Sequence, residues 1–261
     1  VRLNPLARNE ALVGYRHIWL PSVGFPLIAW GLDDNQLYQV KKNAENAFLP
    51  KMGFSCKTSR AVIFGSTRYG GYGLTPLRNY QGVNQTVLFL QHLRLFDSVG
   101  KMQHLAYSWY QMHCGTSYAL FSQPAPALPH APAGWFTILR TFLRNTQLTI
   151  DLPPRLLRLP KLLRHGDIIL MDAFVSLGWK PAKIRLLNYC RMYLNVESLS
   201  KLCNPEGTKL LPEAWQGKTL PSRSTLLWPN QGRPNSWAPW RQAIAELFLH
   251  DRSSKYRTPR D

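Results

Sequence analysis

Residues 69–77 read Tyr-Gly-Gly-Tyr-Gly-Leu-Thr-Pro-Leu, and this stretch separates a short apolar segment from a long helical pattern. Three glycines in four positions, Gly70, Gly71 and Gly73, indicate a tight structural turn where side chains would obstruct the chain or φ is positive. Pro76 suits the first turn of a helix. Apolar residues recur at helical spacing to about Phe96, so the pattern predicts a long helix after the turn.

Helical spacing dominates the rest of the chain. Asp33 or Asp34 can cap a helix that ends at Pro50 and Gly53. Further helices are predicted over the remaining periodic stretches, at residues 102–114, 135–145, 167–177, 181–194, 196–202 and 237–250. The sequence therefore predicts a mainly α fold with little β structure.

Three stretches interrupt this helical pattern. Pro21, Gly24 and Pro26 predict that residues 16–27 form an apolar connector and no continuous helix. Residues 61–64, Ala-Val-Ile-Phe, predict a short strand or a buried extended piece, and residues 148–152 a second short strand.

A Pro- and Ala-rich stretch suggests the domain boundary. Residues 123–132 contain four prolines and three alanines, a composition typical of an extended linker. We therefore predict a helical region over residues 1–122, which carries the glycine turn, a linker at 123–132, and a second, smaller helical region over 133–261.

The positive charge is unevenly distributed. The 261-residue chain has a formal net charge of +18, and residues 46–166 hold thirteen Lys and Arg but only two acids, Asp97 and Asp151. Because two carboxylates cannot neutralise thirteen cations, the segment should attract nucleic acid. The same scarcity excludes a two-metal carboxylate site there. The alternatives are a basic surface without a specific partner and, less favoured because no helix is a clean basic amphipath, an anionic membrane surface.

Composition excludes several classes of protein. Hydrophobic residues make up 45% of the chain, which excludes wholesale disorder. No apolar run approaches the roughly 20 residues of a membrane span, so we expect no membrane partner. Four cysteines without Cys-x-x-Cys spacing predict neither a zinc site nor a disulfide framework, which fits an intracellular protein of nucleus or cytoplasm. Because the chain starts at Val1 without a leader pattern, we expect it to be a piece of a longer protein.

Motifs for catalysis are weak. Asp33 and Asp34 form the only adjacent acidic pair, and the polar, helix-starting residues after them favour a cap over a metal site. The glycine turn lacks the Gly-Lys-Ser/Thr of a nucleotide-binding loop, so a structural turn is favoured over a phosphate cradle. No pair of histidines has the spacing of a helical metal site. We expect no catalytic residue, metal or cofactor in this chain.

The acid-poor segment supplies the candidate nucleic-acid contacts. Basic residues combined with aromatic ones can contact phosphates and stack on bases. Tyr69, Tyr72 and Tyr80 interleave with the cations near the turn, although they could equally pack the turn against neighbouring helices. The candidates are Lys51, Lys57, Arg60, Arg68, Arg78, Arg94, Arg140, Arg144, Arg155, Arg158, Lys161 and Arg164.

The order of several short motifs resembles a known family. Residues 48–53 (Phe-Leu-Pro-Lys-Met-Gly), 60–65 (Arg-Ala-Val-Ile-Phe-Gly) and 69–74 resemble the region just beyond the palm in reverse-transcriptase-like proteins of non-long-terminal-repeat retrotransposons. Residues 135–143, 187–194 and 237–241 resemble the tails of such proteins in unicellular eukaryotes. Tyr72 departs from this pattern, since the family more often has Leu there.

The resemblance implies a helical thumb and C-terminal region. Such a region grips template–primer duplex through its RNA or DNA backbone, while a palm domain, expected before Val1, performs RNA-directed DNA synthesis with Mg²⁺. The partners implied are the nucleic-acid backbone and that palm domain. The alternative is a structural or protein-interaction module, in which the nine tryptophans contribute to an aromatic-rich docking surface.

Overall fold

A computed structural model describes residues 5–55, 57–122, 127–206, 209–218 and 233–251, and the side chains of 248–251 are not among the described groups. These residues are mainly helical and contain no β-strand, only two isolated bridges, between Ile169 and Ser198 and between Cys203 and Leu210. The prediction of a mainly α fold is confirmed. The helices are α1 (Arg8–Val13), α2 (Leu20–Trp30), α3 (Asp34–Phe48), α4 (Arg60–Phe64), α5 (Leu77–Leu95), α6 (Ser98–Cys114), α7 (Trp135–Thr146), α8 (Leu170–Ser176), α9 (Pro181–Leu194), α10 (Pro212–Gln216) and α11 (Ala238–Asp251).

Contacts divide the chain into two compact units that interleave along the sequence. Unit 1 comprises Val1–Gln103 and Ala133–Leu148, and unit 2 comprises His104–Pro132 and Thr149–Asp261. This grouping differs from a division at residues 123–132, of which 123–126 lie outside the described residues.

Helix α7 belongs to unit 1 although it follows the Pro- and Ala-rich stretch. Its Trp135 donates a hydrogen bond from Nε1 to the carbonyl oxygen of Ile28 over 2.7 Å. Its Phe142 ring lies against Gly82 of α5, where an added Cβ would lie 2.5 Å from Phe142 Cδ1. These contacts over long sequence distances place α7 with the first unit.

The expected break over residues 16–27 is wrong. A π-helical stretch, Gly14–Trp19, joins α1 to α2, so the chain is helical from Arg8 to Trp30. A proline inside a helix, here Pro26, costs about 3 kcal/mol. Tertiary packing offsets that cost, because Leu20 and Leu27 are buried in one cluster with Leu77 of α5.

Both expected extended pieces are also corrected. Residues 60–64 form α4, whose N-cap Ser59 accepts a hydrogen bond at Oγ from Ala61 N. Ile63 is fully buried on this helix, so its apolar run reflects the core of unit 1 and not a strand. Residues 148–152 are irregular, and Ile150 N bonds to Phe121 O without forming a ladder.

Each unit has its own core. In unit 1, Tyr15 stacks on Trp19 and packs edge-on against Phe48, with Met52, Ile63 and Leu74 completing the buried cluster. In unit 2, the buried Trp240 packs edge-on against Phe174 and Trp237. The glycine turn of residues 69–74 therefore lies on the unit 1 core through Leu74.

Candidate nucleic-acid interface

The glycine turn folds back on α4 and forms a compact arm, here called the turn arm (residues 57–74). Tyr72 N donates to Val62 O over 2.8 Å, Gly73 N to Gly65 O over 2.9 Å, and Leu74 N to Ile63 O over 3.1 Å. These three hydrogen bonds join the end of the turn to the helix before it. The arm is thus held by its backbone, independently of its exposed side chains.

Glycine is favoured at the positions of this turn for different structural reasons. Gly70 and Gly73 have positive φ values of 79° and 70°, which favour glycine. At Gly71, by contrast, an added Cβ would lie 2.7 Å from the Cα of Gly65 and closer still to its carbonyl group. Gly71 is therefore required by the close approach of two backbone segments.

The turn offers no backbone cradle for a phosphate. The N–H groups of residues 69–74 all donate within the arm: three form the bonds to Val62, Ile63 and Gly65, and the N–H groups of residues 69–71 bond to Ser66 and to Thr67. A phosphate loop needs N–H groups that point to the anion and are free to bind it. The geometry agrees with a structural turn whose contribution to binding lies in its side chains.

An arginine that sequence reasoning missed braces this turn. Arg16, on the π-helical stretch, donates from Nη2 to Tyr72 O over 3.3 Å and to Gly73 O over 3.1 Å. The two partners lie 56 and 57 positions away, so no local pattern indicates this contact. Arg8 similarly donates from Nε to Met52 O over 2.6 Å. Both arginines lie outside the acid-poor segment and support the core of unit 1.

The tip of the arm combines a cation with an exposed aromatic ring. Tyr69 is 83% exposed, and the guanidinium carbon of Arg68 lies 5.9 Å from its ring centroid. Tyr72 instead packs edge-on against Phe54, with ring centroids 4.7 Å apart, and Tyr80 packs against Gly24 of α2. Of the three tyrosines near the turn, only Tyr69 presents its ring to solvent for stacking.

One candidate cation, Arg60, neutralises a buried carboxylate. Its Nη2 lies 3.0 Å from Glu45 Oε2, and the Glu45 side chain is 7% exposed. Lys41 approaches the same carboxylate at 4.0 Å. Burial raises the pKa of Tyr15 to about 12, and the charge of Glu45 adds to this effect. Arg60 is therefore partly committed to the core of unit 1, although its side chain is half exposed.

The other candidates in unit 1 fall into two groups. Lys57 and Arg94 are exposed, whereas Lys51 and Arg144 are half-buried. The sixteen-residue separation of Arg78 and Arg94 on α5 corresponds to about 24 Å along the helix axis.

Arg140 does not suit the predicted role. It is 7% exposed on the buried side of α7, so its guanidinium is not accessible to a phosphate. Its position in the acid-poor segment suggested a solvent-facing cation, but the helical register turns it inward.

The basic run in unit 2 is exposed except at its end. Arg155, Arg158 and Lys161 are exposed, whereas Arg164 is half-buried and donates from Nη2 to Asn204 O, 3.3 Å away, and to Pro205 O. These cations belong to unit 2, whereas the turn arm belongs to unit 1.

Asp33 and Asp34 serve the start of α3. Asp33 Oδ1 accepts from Gln36 N over 2.9 Å, and Gln36 Oε1 accepts from Asp33 N over 3.0 Å, which is a capping box. Asp34 Oδ2 pairs with Arg78 Nη1 at 3.2 Å, so this candidate cation has an acidic partner. Both carboxylates line a cavity of about 510 Å³ within unit 1. No group of three or more His, Cys, Asp or Glu that could hold a metal ion occurs among the described residues.

A second surface of unit 1 is apolar. Phe25 is 82% exposed and Trp30 is 76% exposed on α2, and Ile18 of the π-helical stretch is also exposed. An adjoining groove of about 660 Å³ is lined by Ile18, Trp19 and Phe48, among others. The exposed rings of Phe25 and Trp30 offer aromatic contact area on α2.

Two further observations bear on the class of protein. In the part of the chain that the structure describes, no helix combines the length and hydropathy that crossing a bilayer requires. No protein-family model, curated protein or solved structure matches this chain.

Proposed function

We propose that unit 1 binds the sugar–phosphate backbone of RNA and DNA without sequence preference, through the turn arm. The proposal extends to the larger context that the sequence resembles, the thumb and C-terminal region of a retrotransposon reverse-transcriptase-like protein. In that setting this chain contributes grip on the template–primer duplex. A palm domain elsewhere in the parent protein contributes RNA-directed DNA synthesis with its Mg²⁺.

The observation that carries the proposal is the tip of the arm. A guanidinium and a largely exposed tyrosine ring, from Arg68 and Tyr69, sit side by side on a turn whose backbone is internally bonded. A guanidinium pairs with phosphate oxygens, and an aromatic ring stacks on any base or sugar. Because neither interaction reads base edges, the expected binding is independent of sequence.

The electrostatics of the surrounding residues favour the same partner. In the sequence, the carboxylate that directly precedes the acid-poor segment belongs to Glu45, and it is paired with Arg60. Lys57 and Arg68 are exposed on the same arm. Counterions released from the nucleic acid by such cations supply most of the affinity of sequence-independent binding.

Salt dependence is the first test. We would measure fluorescence anisotropy of a labelled RNA–DNA duplex at increasing salt. Phosphate contacts by Lys57 and Arg68 predict a slope of about −1.8 in log affinity against log salt, or roughly a 12-fold loss between about 50 and 200 mM. An affinity that changes less than about three-fold over this range would refute backbone binding.

Charge reversal then locates the contact. Arg68→Glu and Lys57→Glu should each weaken binding about equally for unrelated sequences, whereas the control Lys42→Glu, on the exposed side of α3, should change it little. Arg60 is unsuitable for reversal, since a glutamate there would face the buried carboxylate of Glu45. Equal loss in the control and in the arm variants would show that only the overall charge matters.

Tyr69 separates stacking from charge. Tyr69→Ala should weaken binding of single-stranded RNA by at least about five-fold, since stacking contributes about 1–3 kcal/mol per base. Tyr69→Phe retains the ring and should bind like the unaltered protein. If both variants bind equally well, the exposed ring takes no part.

A protein-interaction module is the second candidate function. The exposed Phe25 and Trp30 on α2 favour it, because such rings are typical anchors of protein interfaces. The charge-reversal series discriminates between the two, since an interaction module would tolerate Arg68→Glu without loss of its binding. Phe25→Ser and Trp30→Ser would leave nucleic-acid affinity unchanged under the first proposal.

A further inference from the structure

Unit 2 contains an exposed segment in which leucines alternate with cations. Residues 155–164 read Arg-Leu-Leu-Arg-Leu-Pro-Lys-Leu-Leu-Arg, and beyond Leu156, which ends a 3₁₀ turn, residues 157–163 have no regular secondary structure. Leu162 is 57% and Leu163 58% exposed, and Leu159 is also exposed. Several water-exposed leucines in one short segment often mark a site that interacts with a partner.

Both ends of this segment are anchored in unit 2. Leu156 is buried, and its N–H bonds to Pro153 O over 2.8 Å. At the other end, Asp167 Oδ2 accepts from Leu163 N over 3.2 Å and also from the hydroxyl of Ser200. The leucines between these two contacts are exposed in the folded unit.

The sequence that carries these leucines is rich in cations. Between Asp151 and Asp167 the sequence has four Lys and Arg and no carboxylate. The Asp167 carboxylate, which accepts hydrogen bonds from Ser200 N and Oγ, can balance at most one of these four cations. The segment keeps a net positive charge, which favours an anionic partner.

The apolar component distinguishes between anionic partners. Residues 148–166 contain no Phe, Tyr or Trp, so the imidazole of His165 is the one ring of this segment that could stack on nucleic-acid bases. Nucleic acid would pair with the cations and leave the leucines in water. A bilayer with anionic headgroups would satisfy both, since its phosphates meet the cations and its acyl boundary receives the leucines.

We propose that residues 155–164 bind an anionic lipid surface, with Leu159, Leu162 and Leu163 entering the acyl boundary. Arg155, Arg158 and Lys161 contact the lipid phosphates. This binding is peripheral and concerns unit 2 alone. It does not depend on nucleic-acid binding by the turn arm of unit 1.

Flotation with phosphatidylcholine vesicles, with and without phosphatidylserine, tests the proposal on the full chain. The protein should partition onto the anionic vesicles and not onto the neutral ones. Neutralising the loop by Arg155→Gln, Arg158→Gln and Lys161→Gln together should lower partitioning roughly 100-fold, at about five-fold for each cation near the surface. Leu162→Ser with Leu163→Ser should lower it at least about ten-fold with every charge retained.

A charge-matched control lies in the same unit. Lys180→Gln, Lys183→Gln and Arg185→Gln remove three exposed cations at the start of α9 and should reduce partitioning far less. Equal losses in the two triple variants would overturn the proposal in favour of diffuse electrostatic attraction.

The leucine variant identifies the class of partner. If it keeps full partitioning onto anionic vesicles, or if it loses RNA affinity instead, the lipid assignment is wrong. Arg68→Glu should leave vesicle binding intact, so failure of the nucleic-acid proposal and failure of this one are separate results. All substitutions fall on exposed side chains, and circular dichroism of each variant verifies that the helices are retained.

Discussion

Gly71→Ala should open the turn arm of unit 1, because two backbone segments touch at this residue. A Cβ there would lie 2.7 Å from the Cα of Gly65, closer than the 3.0 Å below which real Cβ contacts essentially never occur. The obstructing atoms belong to the backbone and not to a side chain that could rotate away. Gly71 does not have a positive φ, so the contact itself decides the cost.

The expected loss of stability in Gly71→Ala follows from the contacts that must change to make room for the Cβ. Separating residues 65 and 71 stretches the hydrogen bonds from Gly73 N to Gly65 O and from Tyr72 N to Val62 O. Two lost hydrogen bonds at about 1 kcal/mol each, with about 1–3 kcal/mol for overpacking, give roughly 3–5 kcal/mol. Gly70→Ala is the matched control, since nothing lies within 4 Å of its added Cβ. Its φ of 79° costs about 1–2 kcal/mol on adding a side chain.

Native-state hydrogen exchange is the assay, because it reports on the arm itself. The amides of Tyr72 and Leu74 should exchange at least about 100-fold faster in Gly71→Ala, at tenfold for each 1.4 kcal/mol. Urea unfolding followed by circular dichroism measures the accompanying loss of stability. If Gly71→Ala and Gly70→Ala accelerate exchange equally, the close approach to Gly65 does not hold the turn, and the reasoning fails.

Three other perturbations test the two cores. Gly82→Ala should destabilise unit 1 by about 1–3 kcal/mol in urea unfolding, since its Cβ would meet the Phe142 ring; a neutral result would mean that the ring can move aside. Arg60→Gln should cost about 1–3 kcal/mol by leaving the Glu45 carboxylate buried with less compensation, and adding Glu45→Gln should restore part of the loss in a double-mutant cycle. Burial and a neighbouring buried arginine lower the pKa of His113 to about 4. The stabilisation from neutral His113 is therefore complete above its ordinary pKa of 6.5 and is lost as the pH falls toward 4. Thermal unfolding at a series of pH values should show a flatter pH dependence for His113→Gln.

Local signals were sufficient for much of the fold. The helix over residues 181–194 begins and ends where its sequence pattern does, with Pro181 at its first position. Asp33 caps α3, and the long helix α5 follows Pro76. These features depend on residues within a few positions of one another, and capping, proline geometry and apolar periodicity act over that range. The mainly α architecture and the placement of charge along the chain follow from the sequence in the same way.

Tertiary structure alone decided whether the prolines at 21 and 26 interrupt a helix and which cations face solvent. Residues 16–27 stay helical despite Pro21 and Pro26, because packing against α5 exceeds the local penalty. Of the basic residues named from the sequence, Arg140 is buried and Arg60 is paired with Glu45.

The brace from Arg16 to the glycine turn crosses 56 positions, so no sequence window contains it. Composition counts charges and periodicity assigns helices, but only the packed chain determines which cations remain available to a phosphate. Whether a cation can reach a phosphate depends on contacts between residues that are distant in sequence. For that physical reason the candidate interface contains fewer cations than the charge pattern predicts.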